Sequence, residues 1–404
     1  MTHSSDLLDR YQRSLIGVFG VPQLVLTRGD GCYVWDADGK RYLDLLGGIA
    51  VNTLGHNHPA VVGAVSKQAS EMLHLSNFFT SPAQIALAER LLALSGAPEG
   101  SGVFFCNSGA EAIEAAIKIS RRTGRSHLVA AQGSFHGRTT GALALTSKEV
   151  YRSPFEPLLP DVSFVPYNDI DALQKVVTER TAAIFLEPIQ GEGGIVPATR
   201  AYLQAAREVA DTTGALLVLD EIQSGVGRTG DWFAFQDAPG VLPDVMTLAK
   251  GLGGGVPIGA VIAFGAAVRG LLTAGQHGTT FGGNPLASGT ALAVLDQIEA
   301  EGLLERARLV GEHLEDAVTA LGDPRIQQVR GRGLLRAIVL TEEIAPAVAV
   351  AAREAGFIVN PVAPAAIRIA PPLIITAEQI DDFVTSLPGL LDAATAATAS
   401  TQGA

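Results

Sequence analysis

The chain has 404 residues, 47% hydrophobic and 17% charged, with 29 lysines and arginines against 41 aspartates and glutamates, a net charge of −12. That length and composition predict a large domain with a smaller companion and exclude an intrinsically disordered chain. The acidic balance argues against nucleic acid or an anionic membrane as partner, because both reward basic surfaces. Residues 1–10 are polar, with no basic stretch leading into an apolar one, and no run nears the roughly 18 apolar residues of a membrane span. Neither export nor anchoring is expected. Cys32 and Cys106 are the only cysteines and lie far apart, so no disulfide framework or zinc cluster is indicated and a reducing cytoplasm is the expected location. Around Asp36-Ala37-Asp38-Gly39, two short apolar runs predict a β-ribbon with a tight Asp-Gly turn.

From residue 102 onward, short apolar runs at 103–106, 128–131, 182–186, 216–219 and 261–264 alternate with helical patterns such as 111–120 and 202–213. Strands covered by helices on both faces look like this, so the centre of the chain is predicted to be α/β with a mostly parallel sheet. Ligands in such folds gather at the carboxyl ends of the strands. A helical pattern at 287–301 leads into helix, strand and helix signals that predict a smaller α+β domain, to which both chain ends contribute. The expected division is 1–45 in the small domain, 46–302 in the large one and 303–404 in the small one again. Residues 393–404 are small and polar and are expected to fray.

Three strand ends carry candidate chemistry. Asn107-Ser108-Gly109-Ala110-Glu111 joins an apolar run to a helix, where small residues and the helix dipole suit a phosphate; an ordinary loop with Ser108 as helix cap explains it equally well. Asp220 follows 216–219 and is placed to keep a pyridinium nitrogen protonated, or simply to cap a helix or pair with a cation. Lys250 follows another apolar run and precedes glycines that let a ligand approach the backbone. A desolvated lysine is costly unless it forms an imine, although a solvated loop lysine is the plainer explanation.

Other motifs carry less. Gly225-Val226-Gly227-Arg228-Thr229-Gly230 matches a dinucleotide fingerprint, which would make the chain a nicotinamide oxidoreductase, but Glu221 to Ser224 separate it from the strand and no helix pattern opens on it. Residues 251–255 lack the Gly-Lys-Ser/Thr of a P-loop. His56 and His58 lack a set of further metal ligands, so no metal is expected. His136 could serve as a base, but no nucleophile elbow accompanies it.

Taken together, Phe104-Phe105-Cys106-Asn107-Ser108-Gly109-Ala110-Glu111-Ala112, Ser134-Phe135-His136-Gly137-Arg138-Thr139, Glu187-Pro188-Ile189-Gln190-Gly191-Glu192-Gly193-Gly194, Leu219-Asp220-Glu221-Ile222-Gln223, Ala249-Lys250-Gly251, His277-Gly278-Thr279-Thr280-Phe281 and Ile367-Arg368-Ile369 resemble the class III aminotransferases of fold type I, and among these the acetylornithine aminotransferases. The resemblance spans nearly the whole chain. It implies pyridoxal 5'-phosphate held as a Schiff base on Lys250, with Asp220 at the ring nitrogen, Gln223 at the ring hydroxyl, Phe135 on the ring face, and Ser108, Gly109 and Ala110 at the phosphate. Thr280 would reach the phosphate from the other subunit of a homodimer.

Arg138 and Arg368 are the implied carboxylate clamps, with Glu192 pairing Arg368 while an ω-amine is processed and releasing it for 2-oxoglutarate. The implied reaction moves the ω-amino group of N2-acetylornithine to 2-oxoglutarate, a step of arginine biosynthesis with ping-pong kinetics; γ-aminobutyrate, ornithine, succinylornithine or a diamine are the alternative donors. Phe19, Phe79, Ile113 and Thr279 depart from the pattern on segments expected to face substrate, which implies a more apolar or more tolerant pocket.

Overall fold

A computed structural model describes residues 4–402. Its centre is a seven-stranded sheet with spatial order Gly102–Cys106, Gly259–Ala263, Val245–Leu248, Leu216–Asp220, Thr181–Leu186, His127–Ala131 and Val162–Val165. Gly259–Ala263 is antiparallel to both neighbours, and the other pairings are parallel. The expected mostly parallel sheet is therefore present. Central strands such as Thr181–Leu186 and Leu216–Asp220 are buried at every position, because helices cover both faces. One of these, Gly109–Arg121, turns Ala112, Ile113, Ala116 and Ile117 onto the sheet. Val162–Val165 is the edge strand of this sheet, and the helices Pro59–Glu71 and Pro82–Ser95 are further elements, each opened by proline in its first turn.

A second sheet, antiparallel throughout, has the order Ile326–Arg332, Leu335–Leu340, Ala366–Ile369 and Asn360–Ala363, with the helices Leu303–Ala320 and Ala345–Ala355 against it and Ala377–Gln402 packed on those two helices. The N-terminal strands Leu26–Asp30, Tyr33–Asp36 and Arg41–Asp44 form the expected ribbon, and Phe357–Ile358 adds to it in parallel. Both ends of the chain thus build the smaller α+β part. The ribbon turn is looser than an Asp-Gly pair suggests. Only Gly39 has positive φ, and the Asp36 carboxylate organises the turn by accepting hydrogen bonds from the amides of Asp38 and Lys40.

Of residues 393–404, expected to fray, those up to 402 complete the helix Ala377–Gln402, and 403–404 lie outside the described residues. Alanine-rich sequence favours helix, Leu391 and Ala394 are buried, and the Thr395 and Thr398 hydroxyls bond the carbonyls four residues back. No helix among the described residues is long and apolar enough to cross a membrane.

Candidate active site

The strand directions bring the chemistry together. Leu216–Asp220 and Val245–Leu248 run side by side with Asp220 opposite Thr247, so Asp220 and Lys250 emerge at one carboxyl edge. The loops after Gly102–Cys106, His127–Ala131 and Thr181–Leu186 open on the same edge. They enclose a cavity of about 450 Å³ lined by Ser108, Gly109, Ala110, Phe135, Arg138, Asp220, Gln223 and Lys250, among others. Eight residues singled out in the sequence, 100 and more positions apart in places, share one hollow.

Ser108 caps the helix Gly109–Arg121, its hydroxyl accepting from the Glu111 amide at 3.2 Å. The cap and the phosphate seat are compatible, because the amides of Gly109 and Ala110 make no hydrogen bond to a described residue and stand at the positive end of the dipole. A Cβ on Gly109 would lie 2.7 Å from Ile222 Cδ1, so any larger residue here would have to push that side chain aside.

Asp220 is 4% exposed. Its Oδ2 accepts from His136 Nδ1 at 2.7 Å, while Oδ1 accepts from the Ile222 amide and the Thr247 hydroxyl. Burial pulls the His136 proton affinity down, but the hydrogen bond and charge of Asp220, with Glu187 beside them, outweigh it and the net shift is upward. Glu187 is itself fully enclosed, and burial, reinforced by Asp220, raises its carboxyl to about 7 despite His136 and the amides of Gly191 and Phe135. The sequence assigned no role to Glu187 and left His136 as an isolated base candidate. Nothing local signals a contact across the 84 positions between His136 and Asp220.

Lys250 opens a single turn with φ of 41°, a left-handed conformation that costs a residue with a side chain about 1–3 kcal/mol. Its amine makes no hydrogen bond or ion pair to a described residue. Burial, helped by the charge of Arg368, lowers it to about 8 against the opposing pull of Glu192 and Asp220.

Arg368, 1% exposed, projects from Ala366–Ile369 and reaches the cavity through Gln223. Its Nη1 donates to Glu192 Oε1 at 2.5 Å and to Gln223 Oε1 at 3.1 Å, and Nη2 donates to Asn360 Oδ1 at 2.8 Å. Burial raises the Glu192 carboxyl, but Arg368 outweighs it and the net shift is downward. Arg138 is exposed and has no acidic partner among the described residues; its guanidinium lies 3.6 Å from the Tyr151 ring centre and 5.7 Å from that of Phe135.

Not every expected residue joins this cavity. Thr279 lines a separate hollow with Asn77, Phe105 and His277, and Thr280 is exposed. Phe19 and Phe79 are 89% and 74% exposed. Ile113 does not face substrate: it is fully buried in the core cluster that includes Phe185 and Val261, because its position on the helix turns it to the sheet. The glycine fingerprint at 225–230 is a buried run of turns that opens no helix. His56 pairs with Asp44, and His58 caps Pro59–Glu71, so their geometry is structural.

An anion suits the free amides, a protonated ring nitrogen suits Asp220, and a carbonyl suits a lysine amine without a partner; the residues present fit pyridoxal phosphate. The family model described as aminotransferase class-III matches residues 19–391. The chain is 55% identical over 391 residues to an acetylornithine aminotransferase of Streptomyces coelicolor, covering 97% of this chain and 96% of the relative. Among solved structures it is similar to the ornithine aminotransferase of Toxoplasma gondii, with TM-score 0.91, 31% identity and coverage of 99% and 97% of the two chains. It is also similar to the acetylornithine aminotransferase of Elizabethkingia anophelis, with TM-score 0.85, 33% identity and coverage of 96% and 99%. The cavity, its lysine and acid, and a match over nearly the whole length place this chain in the class-III aminotransferases, enzymes that work with pyridoxal phosphate.

Proposed function

We propose that this aminotransferase moves the ω-amino group of N2-acetylornithine to 2-oxoglutarate, yielding the semialdehyde and glutamate. The observation that carries its charge pattern, one carboxylate on the donor and two on the acceptor, is the contrast between two arginines: Arg368 is latched by Glu192 at 2.5 Å, whereas Arg138 is open. A donor with one carboxylate needs only the open clamp. A dicarboxylate acceptor needs both, so Glu192 must release Arg368 in the second half-reaction. The names of the Streptomyces coelicolor and Elizabethkingia anophelis relatives support the same donor.

Pyridoxal phosphate, when bound, supplies a carbonyl that condenses with amines and a ring that accepts electrons. Ser108 and the amides of Gly109 and Ala110 would hold its phosphate, Phe135 would cover its ring, and Gln223 would meet its hydroxyl. Asp220, its carboxylate fixed by His136, would keep a proton at the ring nitrogen. Lys250 Nζ would be the amine that holds the cofactor and the group that holds and moves a proton at the reacting carbon; an amine near pKa 8 both gives and takes a proton around neutral pH. Donor and acceptor use the site in turn, which gives ping-pong kinetics.

Residues 46–302 serve as the cofactor domain, with 1–45 and 303–404 as the smaller one. A homodimer would complete the site, Thr279 and Thr280 of each subunit serving the other. The exposure of Phe78 (93%), Phe79 (74%) and Phe281 (58%) supports such an interface, and Asn77 ties their two segments together by donating to the Thr279 and Gly282 carbonyls. The test is a panel of donors added singly to loaded enzyme without keto acid, read by cofactor absorbance. Acetylornithine is expected to react with the highest kcat/KM; faster reaction with γ-aminobutyrate, ornithine, succinylornithine or a diamine would replace it as donor.

A further inference from the structure

We propose that Tyr151 is a positioning residue for the substrate carboxylate, its ring holding the Arg138 guanidinium face-on and sharing it with a second cation, Lys148. The inference rests on the reading of Arg138 as the open clamp. Arg138 Cζ sits 3.6 Å from the Tyr151 ring centre and Lys148 Nζ 5.7 Å from the same centre. A guanidinium stacked by its face keeps the N–H groups of its edge available, and that edge is what binds a carboxylate in two-point fashion.

Exposed arginines sample many rotamers, and ordering one weakens binding. A ring already in contact removes much of that loss. The ring is itself well held: Tyr151 lies in the short helix Glu149–Arg152, and Phe135 meets it edge-on at 6.4 Å and 85°. The segments that bring Phe135 and Lys148 together are tied, since the Ser147 amide donates to the Ser134 carbonyl at 3.0 Å and the Gly133 amide donates to the Ser147 hydroxyl at 2.8 Å. Tyr151 therefore touches both the residue at the cofactor wall and the residue at the substrate clamp.

Lys148 is half-buried and carries no acidic partner among the described residues, and its charge is among those felt by Glu192. Two unneutralised cations beside one ring raise the local potential for an anion above what Arg138 provides alone. Tyr151 thus selects for substrates whose far end is a carboxylate, without touching the reacting atoms.

The experiment uses loaded enzyme and measures kcat and KM for acetylornithine and 2-oxoglutarate, together with the inhibition constant of glutarate, a dicarboxylate with no reacting group. Tyr151→Leu is expected to raise both KM values and the glutarate constant about two- to fivefold with kcat nearly unchanged. Tyr151→Phe keeps the ring face and should restore wild-type values, and Lys148→Met should give a smaller rise that high salt abolishes. Lower kcat with unchanged KM, or a Tyr151→Phe variant as impaired as Tyr151→Leu, overturns the proposal. Arg138→Ala separates the two readings. If it leaves KM and the glutarate constant unchanged, the clamp assignment itself fails; if it raises them while Tyr151→Leu does not, only the role of Tyr151 fails.

Discussion

Replacing Glu192 by alanine probes the latch on Arg368. Arg368 is buried and its Nη1 donates to Glu192 at 2.5 Å, but Gln223 and Asn360 also hold it, so losing Glu192 frees the cation without releasing the side chain. A charge-assisted hydrogen bond contributes about 1.5–3 kcal/mol. Glu192 keeps a quarter of its side-chain surface exposed, which places the pair at the lower end. A substrate carboxylate that no longer competes with Glu192 gains that amount, roughly tenfold in affinity. Half-reactions of loaded Glu192→Ala enzyme, followed by cofactor absorbance, should show the ratio of kcat/KM for glutamate over acetylornithine rising by about that factor. An unchanged ratio would show that Glu192 does not compete for Arg368, and the account of how one pocket serves two charge patterns would be lost.

Lys250 offers a pH test in cofactor-free enzyme. Burial and Arg368 lower its amine to about 8, so its modification by an amine-acylating reagent should rise with a midpoint near pH 8; a midpoint near 10.5 would contradict the desolvated site. Glu187, raised to about 7, retains in the folded state a proton that the unfolded chain loses near 4.5. The folded state is thus favoured at low pH, and this stability is lost as pH climbs from about 4.5 through about 7, by up to about 3 kcal/mol. Urea unfolding at the two ends of that window should show a smaller loss for Glu187→Gln than for the wild type; equal losses would remove Glu187 as the cause. Ile113→Ala deletes a fully buried side chain and should cost about 2–5 kcal/mol in the same assay while leaving KM unchanged. A shift in KM at unchanged stability would return Ile113 to the substrate pocket.

Lys250, Asp220 and the Ser108 loop were legible in the sequence because each ends a short apolar run, and a parallel sheet delivers such ends to one edge. Their meeting in one cavity follows from strand order. The contact of His136 with Asp220 was not legible, since it depends on a pairing of distant loops. Nor was the burial of Glu187, whose neighbours come from three segments. Ile113 misled for a different reason: a position noted as a departure from a family pattern says nothing about which face of its helix it occupies, and that face packs on Phe185. In residues 393–402, small polar residues read as a loose tail, whereas alanine propensity and the buried Leu391 and Ala394 continue the helix.

The central claim is that Lys250 carries the cofactor, and reducing the loaded enzyme with borohydride tests it most directly. Peptide mapping after reduction should recover the cofactor on the peptide that contains Lys250 and on no other lysine. Recovery on a different lysine, with Lys250 unmodified in active enzyme, would contradict the account.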